Sequence, residues 1–206
     1  MKRSSCLQFV SAAILLLVGT LVWGVDTSML KPPKGSKVAI VVFEDMECPQ
    51  CAKAAPMLHE AAKKYNIPLV QYDFPLRQHP WSYEAAVNAR YFDSKSPKLG
   101  DEYRLYIFKN QDSITKQNLQ GITEKWAEDH KTTLPFVVDP DGHFSAKVDA
   151  DRQLGQRIPL DHTPTVYIVN DSGHGAAVTE VTDLTQLYQR LDEVTAEAGV
   201  TAQAHK

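Results

Sequence analysis

The chain has 206 residues and a formal net charge of −3, with 43% hydrophobic and 23% charged residues. This composition is that of a folded domain with a sizeable core, and it excludes a largely disordered chain, which would be poorer in apolar residues. Because the lysines and arginines are scattered and the net charge is weakly acidic, no basic surface for nucleic acid is predicted.

The first 25 residues have the pattern of an export segment. Lys2 and Arg3 precede a predominantly apolar, uncharged run over residues 7–25. A run of this kind with a basic flank directs the following chain out of the cytoplasm. Its length lies between that of a signal-peptide core and that of a spanning helix, so residues 1–25 are expected to be either a signal peptide or an N-terminal membrane anchor. Cys6 is interpreted as part of this leader.

Beyond the leader, Cys48 and Cys51 are the only cysteines, and they are spaced as C-x-x-C. Exported proteins meet an oxidising compartment, where cysteines usually form disulfides. A bridge across two intervening residues closes a very small loop and therefore restricts the unfolded chain little. The spacing thus favours a redox-active pair over a structural disulfide. Half of a zinc site is disfavoured, because no second pair of ligands follows at zinc-site spacing, and no metal is predicted.

The residues around the cysteines predict a strand followed by a helix. Residues 37–43 form, after Lys37, a β-branched, apolar run typical of a strand that is buried on both faces. From Pro49 onward, alanines and leucines at helical spacing predict an amphipathic helix, and proline suits its first position. Cys48 is then at the helix N-terminus, where free N–H groups and the helix dipole stabilise a thiolate and lower its pKa. Cys51, one turn inside the helix, is predicted to be the less exposed, resolving thiol.

Two motifs together resemble the thioredoxin superfamily. The first is a strand that leads into Cys48-Pro49-Gln50-Cys51 at a helix start, with Pro56 five residues after the second cysteine. The second is Thr163-Pro164, directly before an apolar run at 165–169. The resemblance implies that the Thr163-Pro164 bond is cis and that the Thr163 backbone lies beside the sulfurs, where it offers hydrogen bonds to an extended substrate segment.

The resemblance also implies a role for each residue of the two motifs. The implied site consists of catalytic Cys48 and Cys51, redox-tuning Pro49 and Gln50, and substrate-binding Thr163 and Pro164. No cofactor is expected other than the redox-active Cys48–Cys51 disulfide itself.

The stretch between the motifs resembles the DsbA-like branch of the superfamily, which inserts a helical subdomain after the second strand. More than 100 residues separate Cys51 from Thr163, and Phe74-Pro-Leu76, His79 and Ala85-Ala86 match that branch. His79 is expected to border the active-site face without being catalytic. Helical patterns in and around this stretch predict helices at 82–94, 98–110, 115–130 and 147–156.

We therefore expect an α/β, thioredoxin-like fold, in which helices flank a central mixed sheet. An α-helical subdomain is inserted into this fold, and the apolar leader helix precedes it. The expected organisation is a linker at 26–36, the DsbA-like thioredoxin domain at 37–196 with its insertion at about 78–158, and a flexible tail at 197–206.

The last elements are predicted from turn and capping signals. The polar turn at 170–173 (Asn-Asp-Ser-Gly) indicates a hairpin into a strand at 176–181. Asp183 is a favourable N-cap for a final amphipathic helix that begins near it, with leucines and a valine on one stripe.

Two positions depart from the pattern of the superfamily. Members often carry a buried Asp or Glu six residues before the first cysteine, where this chain has Val42. The acidic turn at 44–47 (Glu-Asp-Met-Glu) could supply a replacement, but it is interpreted as a solvated loop whose charge raises the pKa of Cys48. Gln50 stands where strongly oxidising members have a histidine that stabilises the thiolate, so a less oxidising couple is expected.

The expected function is that of an extracytoplasmic thiol–disulfide oxidoreductase that exchanges disulfides with exported, cysteine-containing proteins. Its expected place is the periplasm or the outer face of the cytoplasmic membrane, with membrane contact through the N-terminal segment if that is retained. The resemblance leans to dithiol oxidation, with a membrane redox partner that regenerates the disulfide. The alternatives are a reductase or isomerase on the same site, and a non-catalytic binding or chaperone module.

Overall fold

The computed structural model describes residues 26–200 and places a four-stranded mixed sheet at the centre of the fold. The strands are β1 (Val38–Glu44), β2 (Leu69–Asp73), β3 (Thr165–Asn170) and β4 (Val178–Glu180), in the order β2-β1-β3-β4. β1 pairs with β2 in parallel and with β3 antiparallel, and β3 pairs antiparallel with β4. The predicted α/β class with a mixed central sheet is confirmed.

Six α-helices surround or extend this sheet within the described residues. They are α1 (Pro49–Tyr65), α2 (Ser82–Lys95), α3 (Pro97–Asn110), α4 (Leu119–Asp129), α5 (His143–Arg157) and α6 (Leu187–Glu197). Helices α2 to α5 all lie between β2 and β3 in the chain, which confirms the inserted helical subdomain. The predicted leader (1–25) and the last six residues lie outside the described part, and within residues 26–200 no helix has both the length and the apolar character needed to cross a membrane.

The β1 strand is central because its sequence is apolar on both faces. All seven of its residues are buried. Since side chains alternate along a strand, Ile40 and Val42 pack with α1 and α6, while Val41 and Phe43 pack on the opposite side with Tyr167 and its neighbours. This two-sided burial is what the continuous run at 37–43 predicts.

The insertion has its own aromatic core. The rings of Phe92, Tyr103 and Trp126 lie with their centroids 4.7–5.1 Å apart, in tilted or edge-to-face arrangements. Both cysteines belong to this same cluster of buried residues. The redox pair therefore lies at the junction between the sheet and the insertion.

A buried ion network also crosses that junction. Arg104 on α3 makes a bidentate pair with Asp93 on α2, at 2.8 and 2.9 Å, and lies 3.6 Å from Asp73 at the end of β2. Arg90 pairs with Asp73 at 2.5 Å and also with Asp151 on α5. Because a buried charge is tolerated only when it is paired, this network fixes three helices of the insertion against the sheet.

The C-terminal end differs from the prediction in its boundaries. Asp183 caps a short 3₁₀ turn at Leu184–Gln186 by accepting a hydrogen bond from Thr185 N at 2.9 Å, and α6 begins only at Leu187. The first turn is thus tighter than the predicted α-helical start, as is common at helix termini. After α6, Ala198 is buried against the core, and residues 201–206 lie outside the described part.

Two helical glycines should respond to the same substitution in opposite ways. A Cβ on buried Gly155 of α5 would meet the Phe74 ring at 2.5 Å, whereas a Cβ on exposed Gly121 of α4 would meet nothing within 4 Å. We expect Gly155→Ala to lower the free energy of unfolding by about 1–3 kcal/mol through overpacking. Gly121→Ala should raise it by about 0.5–1 kcal/mol. Denaturant unfolding of both variants measures this, and equal effects would contradict the close packing of α5 on Phe74.

Candidate active site

The two cysteines lie at the start of α1, where the sequence predicts them. Cys48 is the N-cap residue, with extended backbone angles, and Pro49 occupies the first helical position. Cys51 follows in the first turn. Both are free thiols; Cys48 is 7% exposed and Cys51 only 1%. The prediction that Cys51 is the more buried of the two is confirmed.

The environment of Cys48 favours its thiolate. Its pKa is lowered to about 5, chiefly by a hydrogen bond from the Cys51 thiol. Burial opposes this effect, while hydrogen bonds from the backbone N–H groups of Cys51 and Gln50 reinforce it. These backbone donors are the free N–H groups that a helix N-terminus provides. Cys48 is therefore ionised at neutral pH and can act as a nucleophile or a leaving group.

The environment of Cys51 has the opposite effect. Burial raises the pKa of its thiol, and the hydrogen bond with Cys48 and the charge of Glu44 raise it further. The backbone N–H of Asp45 donates to Cys51 Sγ at 3.4 Å and works in the other direction. The pair thus divides into a reactive thiolate and a protonated, enclosed thiol.

The second motif completes the site from the far end of the chain. The Thr163-Pro164 peptide bond is cis, and Thr163 O lies 3.3 Å from Cys48 Sγ, where it can accept a hydrogen bond from that sulfur when the thiol is protonated. The expected placement of the Thr163 backbone beside a sulfur is confirmed. Beside them runs a groove of about 310 Å³, lined by Gln50, Lys53, Met57, Thr163, Pro164 and Leu184 among others.

The acidic turn at 44–47 is not solvated, so that interpretation is wrong. Glu44 is 3% exposed, Asp45 is fully buried and Glu47 is half-buried. Glu47 accepts hydrogen bonds from Trp81 N at 2.9 Å and Ser82 N at 3.2 Å, and so caps the start of α2. The donors that these carboxyl groups need come from the insertion for Glu47, from the segment before it for Asp45, and from Gln71 on β2 for Glu44.

Glu44 occupies a charged pocket close to the redox pair. Burial raises its pKa to about 7, although the Arg104 guanidinium opposes the shift, and Gln71 Nε2 donates to its Oε1 at 2.9 Å. It is two residues beyond Val42 on β1, and alternate residues of a strand share a face. Glu44 thus places a carboxyl group on the same face as Val42, one step nearer the cysteines.

Two further side chains hold the redox turn in place. Gln111, in the 3₁₀ turn Gln111–Ser113 after α3, donates from Nε2 to Met46 O at 2.7 Å and to Cys48 O at 3.1 Å. His79 Nδ1 lies 2.7 Å from Asp45 Oδ2, and a fifth of its side chain is exposed. His59 on α1 is half-buried and takes no part in these contacts, and burial lowers its pKa.

Some of these contacts could have been anticipated from sequence and others could not. Trp81, at the N-cap of α2, has no acceptor for the first N–H groups of the helix, so an outside acceptor is required. That requirement points to a carboxyl group, but not to Glu47 in particular. Gln111 gives no sequence signal, since a polar residue directly after a helix is ordinarily expected to face solvent.

Comparisons with known proteins agree with this fold and give its family. A protein-family model described as thioredoxin matches residues 27–185. Among solved structures, α-DsbA1 of Wolbachia pipientis is similar with a TM-score of 0.66 and 15% identity, over 84% of this chain and 97% of that one. BdbD from Bacillus subtilis gives 0.64 and 18%, over 82% and 91%. Reduced DsbA1 from Neisseria meningitidis gives 0.59 and 20%, over 84% and 92%. No protein of curated function matches the chain in sequence.

Proposed function

Because the chain belongs to the thioredoxin family and has the DsbA-like fold, we propose that it exchanges disulfides with cysteine-containing proteins through Cys48 and Cys51. The observation that carries this proposal is the contrast between the two thiols. Cys48 has a pKa of about 5 at a helix N-terminus, and Cys51 is buried beside it with a raised pKa. A structural disulfide needs no such contrast, whereas thiol–disulfide exchange depends on it.

In the oxidising direction, a substrate thiolate attacks Cys48 Sγ of the Cys48–Cys51 disulfide. The Cys48–Cys51 bond breaks, its electron pair goes to Cys51, and Cys51 takes up a proton. A second substrate thiolate then attacks the substrate sulfur of the mixed disulfide, and Cys48 departs as a thiolate. The substrate leaves with a disulfide, and the enzyme is left as the dithiol.

The Thr163-Pro164 turn and the adjoining groove would hold the substrate during these steps. The lining of the groove includes the half-buried apolar side chains of Met57 and Leu184 and the exposed side chain of Lys53. An extended segment that lies along Thr163 places its cysteine next to Cys48, because Thr163 O is 3.3 Å from that sulfur. Pro49 and Gln50 frame the same sulfur from the helix side.

Glu44 is proposed as the proton acceptor for Cys51, in place of the carboxyl group that is missing at Val42. Its pKa of about 7 allows it to take up and release a proton near neutral pH. Its charge raises the pKa of Cys51, so the two groups are electrostatically coupled. When Cys51 must become a thiolate to attack a mixed disulfide, Glu44 would accept its proton.

Oxidation is the proposed direction. A low pKa of Cys48 stabilises the reduced enzyme and makes Cys48 a good leaving group, and both effects favour transfer of the disulfide to the substrate. The leader-like sequence at 1–25 supports action outside the cytoplasm, in the periplasm or at the outer face of the cytoplasmic membrane. The cycle then requires a membrane redox partner that reoxidises Cys48 and Cys51.

Replacing each cysteine separately tests the reaction. Cys51→Ser should form a mixed disulfide with a disulfide-bonded substrate protein or with glutathione disulfide, releasing one thiol, and should hold it, because no resolving thiol is present. Cys48→Ser should form none, since the remaining thiol is buried and protonated. Mass spectrometry of acid-quenched reactions measures the adduct. A Cys48→Ser protein that still oxidises substrate would refute the assignment.

Equilibration with glutathione buffers tests the direction. We expect a potential for Cys48–Cys51 above that of thioredoxin, about −270 mV, and below that of the strongly oxidising DsbA, about −120 mV. The upper bound follows from Gln50, which cannot carry the positive charge of a histidine. A potential at or below that of thioredoxin would establish a reductase instead. Failure to equilibrate at all would favour a binding module.

Glu44→Gln tests the proton acceptor. Glu44 is protonated below its pKa of about 7, so in the unaltered protein the attack of Cys51 on the mixed disulfide should speed up as the pH rises through about 7. The variant should lose the inflection near pH 7 and be slower by roughly 100-fold at pH 8, near the lower end of what a positioned base contributes. Single-turnover kinetics with glutathione disulfide over a range of pH measures it, with Glu60→Gln, an exposed residue on α1, as the control.

A further inference from the structure

Asp45 is a fully buried acidic residue that contacts both halves of the site through its backbone. Its carbonyl accepts a hydrogen bond from Cys48 N at 3.0 Å, and its N–H donates to Cys51 Sγ at 3.4 Å. Among residues 26–200, this N–H is the backbone donor that bonds to the resolving sulfur. The orientation of one peptide group therefore sets how well Cys51 is solvated when it carries a charge.

The side chain of Asp45 fixes that peptide group through hydrogen bonds to both of its carboxylate oxygens. Oδ1 accepts from Glu47 N at 2.7 Å, which closes a local turn. Oδ2 accepts from Leu76 N at 2.7 Å and lies 2.7 Å from His79 Nδ1, so a proton on Nδ1 completes a third hydrogen bond. Two of the three partners come from the segment that leads into the insertion, more than 30 residues further along the chain.

His79 is the one side chain among these partners. A buried carboxyl group costs free energy unless its oxygens are satisfied, and two backbone donors leave part of the capacity of Oδ2 unused. His79 fills that position from a partly exposed loop, with a fifth of its side chain accessible. Its ring does not touch a sulfur in the contacts that the structure shows, so any influence on the reaction passes through Asp45.

We propose that His79 and Asp45 are positioning residues for the resolving thiol: the hydrogen bond between their side chains holds the Asp45 N–H against Cys51 Sγ, where it stabilises the Cys51 thiolate. The inference rests on the proposed oxidoreductase function and deepens it. It gives His79 a role in the second step of the exchange. From the sequence, His79 is expected only to border the active-site face, with no role in either step.

The step concerned is the closure of the enzyme disulfide. The Cys51 thiolate attacks Cys48 Sγ of the mixed disulfide between Cys48 and glutathione, and a Cys48–Cys51 bond forms. The Cys48–glutathione bond breaks, and its electron pair leaves on glutathione, which takes a proton from water. The two protein thiols are thereby oxidised, and one glutathione disulfide is reduced to two glutathione molecules. The reverse step expels Cys51 as a thiolate and needs the same N–H donor.

The test is single-turnover oxidation of the dithiol protein by excess glutathione disulfide, with both steps resolved by acid quenching and mass spectrometry. His79→Leu removes the hydrogen-bond donor to Asp45. The residue lies in a partly exposed loop, where a leucine side chain can be accommodated. We expect Cys48 to attack glutathione disulfide at an unchanged rate, and the closure step to slow by roughly ten-fold, as the weakening of one hydrogen bond to a charged group predicts.

His79→Asn is the matched control. Its side-chain amide can place an N–H group where the ring Nδ1–H lies, so it should restore the closure rate to within about two- to three-fold of that of the unaltered protein. The slowing in His79→Leu should also be the same across the pH range, whereas loss of the Glu44 carboxyl changes the shape of the pH profile. This difference separates a positioning role from proton transfer.

The outcomes distinguish this inference from the proposed function. If the unaltered protein completes neither step, the oxidoreductase function itself fails. If it completes both and His79→Leu matches it, or slows both steps equally, the positioning role is overturned while the function stands. Should His79→Leu not fold, Asp45→Asn must show the same selective slowing of closure. If neither variant folds, Asp45 and His79 are needed for folding alone, and the proposal is also overturned.

Discussion

The site depends above all on the burial of the acidic turn at 44–47 between the sheet and the helical insertion. Carboxyl groups leave water only when hydrogen-bond donors replace it, and here the donors come from the insertion and from the segment that leads into it. Glu47 receives two N–H groups at the start of α2, and Asp45 receives Leu76 N. Because the cysteines follow this turn directly, the same contacts fix where the sulfurs lie.

That burial also separates the chemical roles of neighbouring groups. Cys48 lies at the open end of α1, where helix N–H groups and the Cys51 thiol favour its charge. Cys51 and Glu44 lie a few residues away in surroundings that penalise charge, and both have raised pKa values. A single enclosed junction thus provides one group that is ionised at neutral pH, one that holds its proton, and one, Glu44, that exchanges a proton near pH 7, as acid–base chemistry within one exchange reaction requires.

The sequence is sufficient for the parts of this arrangement that are local. The apolar run at 37–43, the proline after Cys48 and the cysteine spacing together predict the strand, the helix start and the more exposed thiol. Thr163-Pro164 is placed beside the sulfurs only through its resemblance to a family, since nothing in the intervening sequence measures that distance.

The acidic turn shows where sequence reasoning fails. Its partners lie 27 to 35 residues further along the chain, and an acidic run looks the same whether water or backbone N–H groups surround it. That Glu44 supplies the carboxyl group missing at Val42 cannot be predicted from sequence, for a related reason. The superfamily pattern places the carboxyl group at one fixed position of the strand. Because side chains alternate along a strand, the side chain two residues further on lies on the same face.

The buried Arg104 has a consequence for how this fold can be altered or inherited. It joins Asp93 of the insertion to Asp73 of the sheet. A recombinant that kept this insertion on a sheet without Asp73 would leave Arg104 buried with one of its counter-charges missing. Breaking a buried pair in this way costs about 3–5 kcal/mol, a large fraction of the stability of an ordinary domain. A recombination that exchanges either half must therefore carry the matching charges with it.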